Sequence, residues 1–198
     1  MGTKATPPIV KRPLAYIFAT LAAVPLAGGA APADSVGTKV QLCASCHGAS
    51  GLPPDPTVPI IWGQQRLYLK KQLNDYKNDD RDSQIMSSIA ESLSDSDVSR
   101  IVAYFGGAAW PIEPKVPLPA APAAIAACKV CHGTNLTGVG GPAGAAPRLA
   151  GQGAPYLIDT MTAYANGERA NSALMVALMH DLSVADRKAI AGYLAAIR

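Results

Sequence analysis

Aromatic side chains are scarce in this chain: two Trp, seven Tyr and two Phe make up 6% of its 198 residues. Aromatic rings supply much of the buried area in a small core, so apolar interior must come from another source. Charge is also sparse, at 16%. No convincing alternating strand pattern appears, and beyond residue 33 no apolar run approaches the roughly 20 residues of a membrane helix. Histidine is limited to three residues and cysteine to four.

Those four cysteines form two copies of one pattern, 85 positions apart: Cys43-Ala-Ser-Cys46-His47 and Cys128-Lys-Val-Cys131-His132. Cys-x-x-Cys-His is the attachment signature of c-type haem. Its two thiols each add to one vinyl group of the porphyrin, and the adjoining imidazole is placed beneath the iron. Both pairs are consumed by the motifs, which leaves no cysteine for a disulfide. A zinc knuckle or a thioredoxin-like redox pair also uses Cys-x-x-Cys. The first needs further ligands at finger spacing, and only His180 is spare; the second needs a βαβ setting that nothing here suggests. Two covalently bound haem c groups are expected, held by Cys43, Cys46, Cys128 and Cys131, with His47 and His132 as iron ligands.

The N-terminus carries Lys4, Lys11 and Arg12, then an uncharged run from Leu14 to Ala33 closing on Ala31-Pro32-Ala33. This is the pattern of a secretory signal peptide over residues 1–33. Pro25, Gly28 and Gly29 interrupt the run and argue against an uncleaved anchor. Export to the periplasm is therefore expected. Cleavage removes three of the 17 basic residues and none of the 14 acids, so the remaining charge is balanced and gives no case for nucleic acid binding.

The remainder reads as a duplication. Pro59-x-x-x-Gly63-Gln64 answers Pro147-x-x-x-Gly151-Gln152; Tyr68, Tyr76, Arg81, Met86 and Tyr104 answer Tyr156, Tyr164, Arg169, Met175 and Tyr193. Residues 34–105 and 123–198 are the expected domains. Between them, 106–122 holds Pro111, Pro114, Pro117, Pro119 and Pro122, a composition that suits an extended linker. Each half reads as helical. One helix runs into each haem motif, from about Ser35 and about Ala123. A second spans roughly Gln65 to Tyr76, with its counterpart from Tyr156 to Tyr164. A third follows Ser94 or Ser183, with Asp97 or Asp186 completing a capping box.

A thioether is a soft, neutral ligand suited to haem iron, and His/Met ligation raises the reduction potential. Met86 and Met175, 39 and 43 residues after the motif histidines, recur at matched positions and are the expected second axial ligands. A methionine is otherwise ordinary core filler, the role assigned to Met161 and Met179, which lack counterparts. His180 also lacks one and reads as a surface residue.

Taken together, the chain resembles the c4-type dihaem cytochromes, two class I cytochrome c domains in tandem. The resemblance is carried by Cys-x-x-Cys-His-Gly with Gly48 and Gly133, by Pro147-Arg-Leu-Ala-Gly-Gln152, and by the Arg…Met stretches. The first half departs from it with Trp62 where the second half has Ala150. The resemblance implies an all-α fold, with the carbonyls of Pro59 and Pro147 accepting a hydrogen bond from the proximal imidazoles. Trp62, Arg66, Tyr68, Arg148 and Tyr156 are candidates to reach haem propionates. The implied function is one-electron transfer, not catalysis. The implied partners are a membrane quinol-oxidising complex and a haem–copper terminal oxidase, a reductase or other redox proteins, with loose membrane association allowed. A dedicated cytochrome subunit of a periplasmic dehydrogenase and, less favoured by the paired methionines, a dihaem peroxidase are the alternatives.

Overall fold

The computed structural model describes residues 1–3, 35–112, 119–141 and 145–197. The expected leader beyond residue 3, and residues 113–118 of the expected linker, lie outside the described residues. Among the described residues eight helices follow in order: α1 (Ser35–His47), α2 (Arg66–Lys77), α3 (Gln84–Glu91), α4 (Asp95–Gly107), α5 (Ile125–His132), α6 (Ala154–Ala165), α7 (Ala173–His180) and α8 (Val184–Ala196). The one β contact among the described residues is an isolated antiparallel bridge between Val139 and Ala146. The fold is all-α, and α1–α4 repeat as α5–α8.

Local chemistry sets the helix ends. Ser94 and Ser183 accept hydrogen bonds from the backbone of Asp97 and Asp186, whose carboxylates accept in return from the serine N–H groups. Both are complete capping boxes, satisfying donors that the first helical turn leaves orphaned. The methionine stretches, which are not among the helices expected from the sequence, are helices themselves. Ser83 and Ser172 cap them, accepting from the N–H of Met86 and of Met175. Eight residues are too few for hydrophobic periodicity to declare a helix, so the serine three residues ahead of each methionine was the only local signal. α4 also runs two residues into the expected linker. Its last residues, Gly106 and Gly107, lie against Arg66, and a Cβ at Gly106 would approach Arg66 Cγ to 2.4 Å.

Each half buries its own core. Val40, Leu93, Val98, Ile101, Val102 and Phe105 form one cluster, joined by Cys43, Trp62, Leu69 and Leu73. Ile125, Cys128, Leu136, Leu157, Met161, Met179, Ile190 and Leu194 belong to the other. Met161 and Met179 are thus buried filler, while His180 is exposed beside Asp181. Packing follows the repeat: α2 against α3 and α4, and α6 against α7 and α8. From α1 onward the halves form one compact unit.

The repeat is not perfectly even. Asp97 accepts from Lys39 Nζ at 2.5 Å as well as from Ser94, tying α4 to α1, whereas Asp186 has only Ser183. The hydrogen bond from Lys39, aided by those from Ser94, holds the Asp97 carboxyl well below its ordinary range. A carboxylate with a depressed folded-state pKa adds stability above its unfolded pKa, about 4, and loses it as pH falls. Lys39→Met should therefore lower the thermal midpoint at neutral pH and flatten its decline on acidification. A variant profile running parallel to wild type through the acid range would refute this account.

Candidate functional site

Cys43, Cys46 and His47 end α1, and Cys128, Cys131 and His132 end α5. Spacings of three and four residues bring each trio onto neighbouring positions of one helix face. None of the four cysteines forms a disulfide. Cys43 and Cys128 are turned inward, and burial pushes both thiols up from their ordinary pKa. Cys46 and Cys131 are exposed. Each helix stops at a glycine in the left-handed region, Gly48 at φ 89° and Gly133 at φ 82°. At Gly48 the chain doubles back so tightly that a Cβ would lie 2.0 Å from the Leu52 carbonyl oxygen.

Both imidazoles are buried and anchored. His47 Nδ1 lies 2.7 Å from the Pro59 carbonyl oxygen, and His132 Nδ1 lies 2.8 Å from that of Pro147. Burial lowers both histidine pKa values, against a smaller opposing contribution from these bonds, so each ring is neutral at pH 7. A carbonyl can only accept, which places the ring proton on Nδ1 and leaves the Nε2 lone pair available as a metal ligand. The loops that carry the prolines are fixed in turn. Gly63 N–H donates to Phe105 C=O and Gly151 N–H donates to Leu194 C=O, each at 2.8 Å, pinning loop to terminal helix. Both glycines have positive φ.

Met86 and Met175 occupy matching third positions of α3 and α7, and both are partly buried. Met175 packs against the cluster that contains Cys128. Among the described residues no group of three or more His, Cys, Asp or Glu stands together as a metal cluster.

A polar seam joins the halves. Arg169 is 5% exposed; its Nη2 donates to Gln72 Oε1 at 2.7 Å and to the Tyr68 hydroxyl at 3.3 Å. Arg81 donates to the same Gln72 oxygen at 2.7 Å, and Asn171 donates to the Asp75 carboxylate at 2.6 Å. Each arginine also stacks on a tyrosine of its own half, Arg81 on Tyr76 and Arg169 on Tyr164. A cavity of about 430 Å³ opens beside them, lined by Tyr76, Arg81, Ser83, Tyr156, Thr160 and Arg169. Burial would raise the Tyr156 phenol, but Arg81 and Arg169 together with hydrogen bonds from Arg81 and Thr160 bring it down to about 8. Arg169 Nη1 is buried with no partner. The cavity is also lined by the carboxylates Asp82, Asp159 and Glu168, so the fit to haem rests on the helix ends, where two cysteines and a neutral imidazole with a free Nε2 suit covalent attachment and iron ligation.

Of the residues expected to face propionates, Tyr68 and Tyr156 lie at this seam. Trp62 packs edge-on against Phe105 at 4.6 Å, and Arg148 lies over Trp110 at 4.5 Å. Arg66 lies at the end of α4, against Gly106 and Gly107. Arg81 and Arg169 were visible in the sequence as repeated landmarks, but no charge pattern there distinguishes a seam arginine from a surface one.

A family model described as Cytochrome c matches residues 121–197. A cytochrome c4 of Pseudomonas aeruginosa is 31% identical over 193 residues, covering 91% of this chain and 96% of that relative. The chain belongs to the cytochrome c4 family. Reduced recombinant cytochrome c4 from Pseudomonas stutzeri has the same fold, with a TM-score of 0.69 at 28% identity, over 85% of this chain and 100% of that one. A thiosulfate dehydrogenase electron acceptor of Stutzerimonas stutzeri is 30% identical over 85% of this chain and 82% of its own length. As a member of this family the chain carries covalently bound haem c, one group for each of its two motifs, and is an electron-transfer protein, not an enzyme.

Arg169→Met should cost about 2–3 kcal/mol, the range for stranding buried polar partners, read from denaturant midpoints of the haem-loaded protein. Arg169→Lys should recover little, because a single ammonium cannot replace the guanidinium fork. A loss below about 0.5 kcal/mol, the level of an exposed contact, would show the seam to be weakly coupled to stability.

Proposed function

We propose that the chain is an exported one-electron carrier whose haems are held by Cys43, Cys46 and His47 in the first half and by Cys128, Cys131 and His132 in the second. The observation that carries this reading is the paired geometry of two buried, neutral imidazoles, each oriented through Nδ1 by a proline carbonyl. Met86 and Met175 are assigned as the opposing axial ligands. Their serine-capped helices hold the thioethers at the start of a rigid turn instead of in a loop. When bound, haem c supplies a one-electron ferric–ferrous couple, set at high potential by His/Met ligation. The chain's task is to keep the same ligands in both states, to exclude small molecules from the iron, and to bury one porphyrin face in each core. The haems also complete two cores that are poor in aromatic area.

The proposed donor is a membrane quinol-oxidising complex and the proposed acceptor a terminal oxidase or reductase, with the working site in the periplasm. The leader pattern supports export. Among the described residues no helix is long and apolar enough to cross a membrane. A second reading, in which a periplasmic dehydrogenase is the donor, is favoured by the similarity to a thiosulfate dehydrogenase electron acceptor. Reduction of the oxidised protein by quinol-oxidising membranes, compared with reduction by purified thiosulfate dehydrogenase plus thiosulfate, separates the two.

Met86→Ala should remove part of the sulfur-to-iron charge-transfer band of the oxidised protein and let carbon monoxide bind one of two reduced haems. Survival of the whole band would overturn the ligand assignment in the first half. Cys128→Ala should halve the number of fully attached haems without altering attachment in the first half.

A further inference from the structure

Gln64 and Gln152 close the repeated Pro-x-x-x-Gly-Gln element, and nothing so far requires a glutamine there. Both side chains are buried, at 4% and 2% exposure, and each reaches into the opposite half. Gln152 Oε1 accepts from Ile60 N–H at 2.9 Å, while its Nε2 donates to Ile60 C=O at 3.1 Å. Gln64 Oε1 accepts from Arg148 N–H at 2.7 Å, while its Nε2 donates to Arg148 C=O at 3.0 Å. Each Oε1 also accepts from the next backbone N–H of its own loop, Gly153 at 3.1 Å and Gln65 at 2.9 Å. Two donors converge on each oxygen, which fixes the orientation of both amides.

Ile60 and Arg148 directly follow Pro59 and Pro147. A single peptide group, Pro59–Ile60, therefore accepts from His47 Nδ1–H through its oxygen and donates to Gln152 through its nitrogen. The Pro147–Arg148 peptide stands in the same way between His132 and Gln64. Hydrogen bonds at the two ends of a peptide reinforce one another: an acceptor on the N–H makes the carbonyl oxygen more negative. A stronger bond from Nδ1–H raises the basicity of the ring as a ligand.

We propose that Gln152 is a positioning residue for the haem of the first half and Gln64 for that of the second, each tuning the proximal histidine of the opposite domain. This rests on His47 and His132 being the iron ligands. The sign is fixed by the chemistry. A more basic imidazole favours ferric iron, so removing the glutamine acceptor raises the potential of the haem across the seam. A merely loosened seam would act the other way, because water admitted to the site stabilises the extra charge of the ferric state.

The test uses the full-length, haem-loaded protein with the two haems resolved by their hyperfine-shifted NMR methyl signals. Haem content and axial-ligand spectra of the wild type come first: a proximal ligand other than histidine would sink the underlying reading. With ligation intact, Gln152→Leu should raise the potential of the first-half haem, changing its ferrous-to-ferric ratio several-fold at a fixed applied potential, with a smaller change in the second half. Gln64→Leu should give the mirror image. A larger shift in the glutamine's own half, no shift, or a fall in both haems overturns the crossed tuning. Gln152→Glu keeps the acceptor oxygen and should lower the first-half potential more than the second. Should the leucine variants fail to fold, that variant decides, since a rise in the first-half haem would overturn the proposal.

Discussion

A neutral imidazole can carry its proton on either nitrogen, and in each half a carbonyl oxygen within 2.8 Å of Nδ1 decides which. That bond fixes ring tautomer and orientation together, and much of each domain serves to hold its two ends. The imidazole sits on the last turn of α1 or α5, stopped by a glycine that lets the chain turn sharply away. The carbonyl belongs to a loop tied to α4 or α8 through Gly63 or Gly151. Helix, loop and terminal helix thus converge on one donor–acceptor pair, and the two separate apolar cores keep them from drifting. A displacement of even half an ångström would lengthen a bond that has little electrostatic substitute in a buried site.

What the sequence made legible was local. The haem motifs and the serine–aspartate capping boxes are determined within a few residues and appear where they were expected, whereas the proline carbonyls, 12 and 15 residues from the histidines, were expected from the family resemblance alone. The methionine helices were missed as helices because a run of eight residues shows no useful period, although Ser83 and Ser172 stood at the cap positions. The seam was illegible for a different reason. Arg169 meets Gln72 across 97 residues, and Gln152 meets Ile60 across 92. Repetition marked these side chains as special, but pairing over such distances depends on how the halves dock. Trp62 shows the converse: a departure from the repeat that suggested a role near haem, yet whose visible partner is Phe105.

The seam is polar where the cores are apolar. Buried polar contacts add little net stability, since each replaces a bond to water, but they punish misalignment because an unmatched donor stays desolvated. An apolar seam could slide by a side chain's width at small cost. Gln64, Gln152, Arg81 and Arg169 allow one register only, which matters when two redox centres must keep a fixed separation and orientation.

The crossed glutamines give the seam the symmetry of a dimer. Residue 64 of one half grips residue 148 of the other, while residue 152 grips residue 60, so each patch meets the equivalent of its own partner. That is the pattern of an isologous contact in a two-fold dimer, made here within one polypeptide. Joining the halves in one polypeptide replaces an encounter between separate molecules with a high local concentration, so the two copies can differ, as they do at Trp62 and Ala150, and still meet.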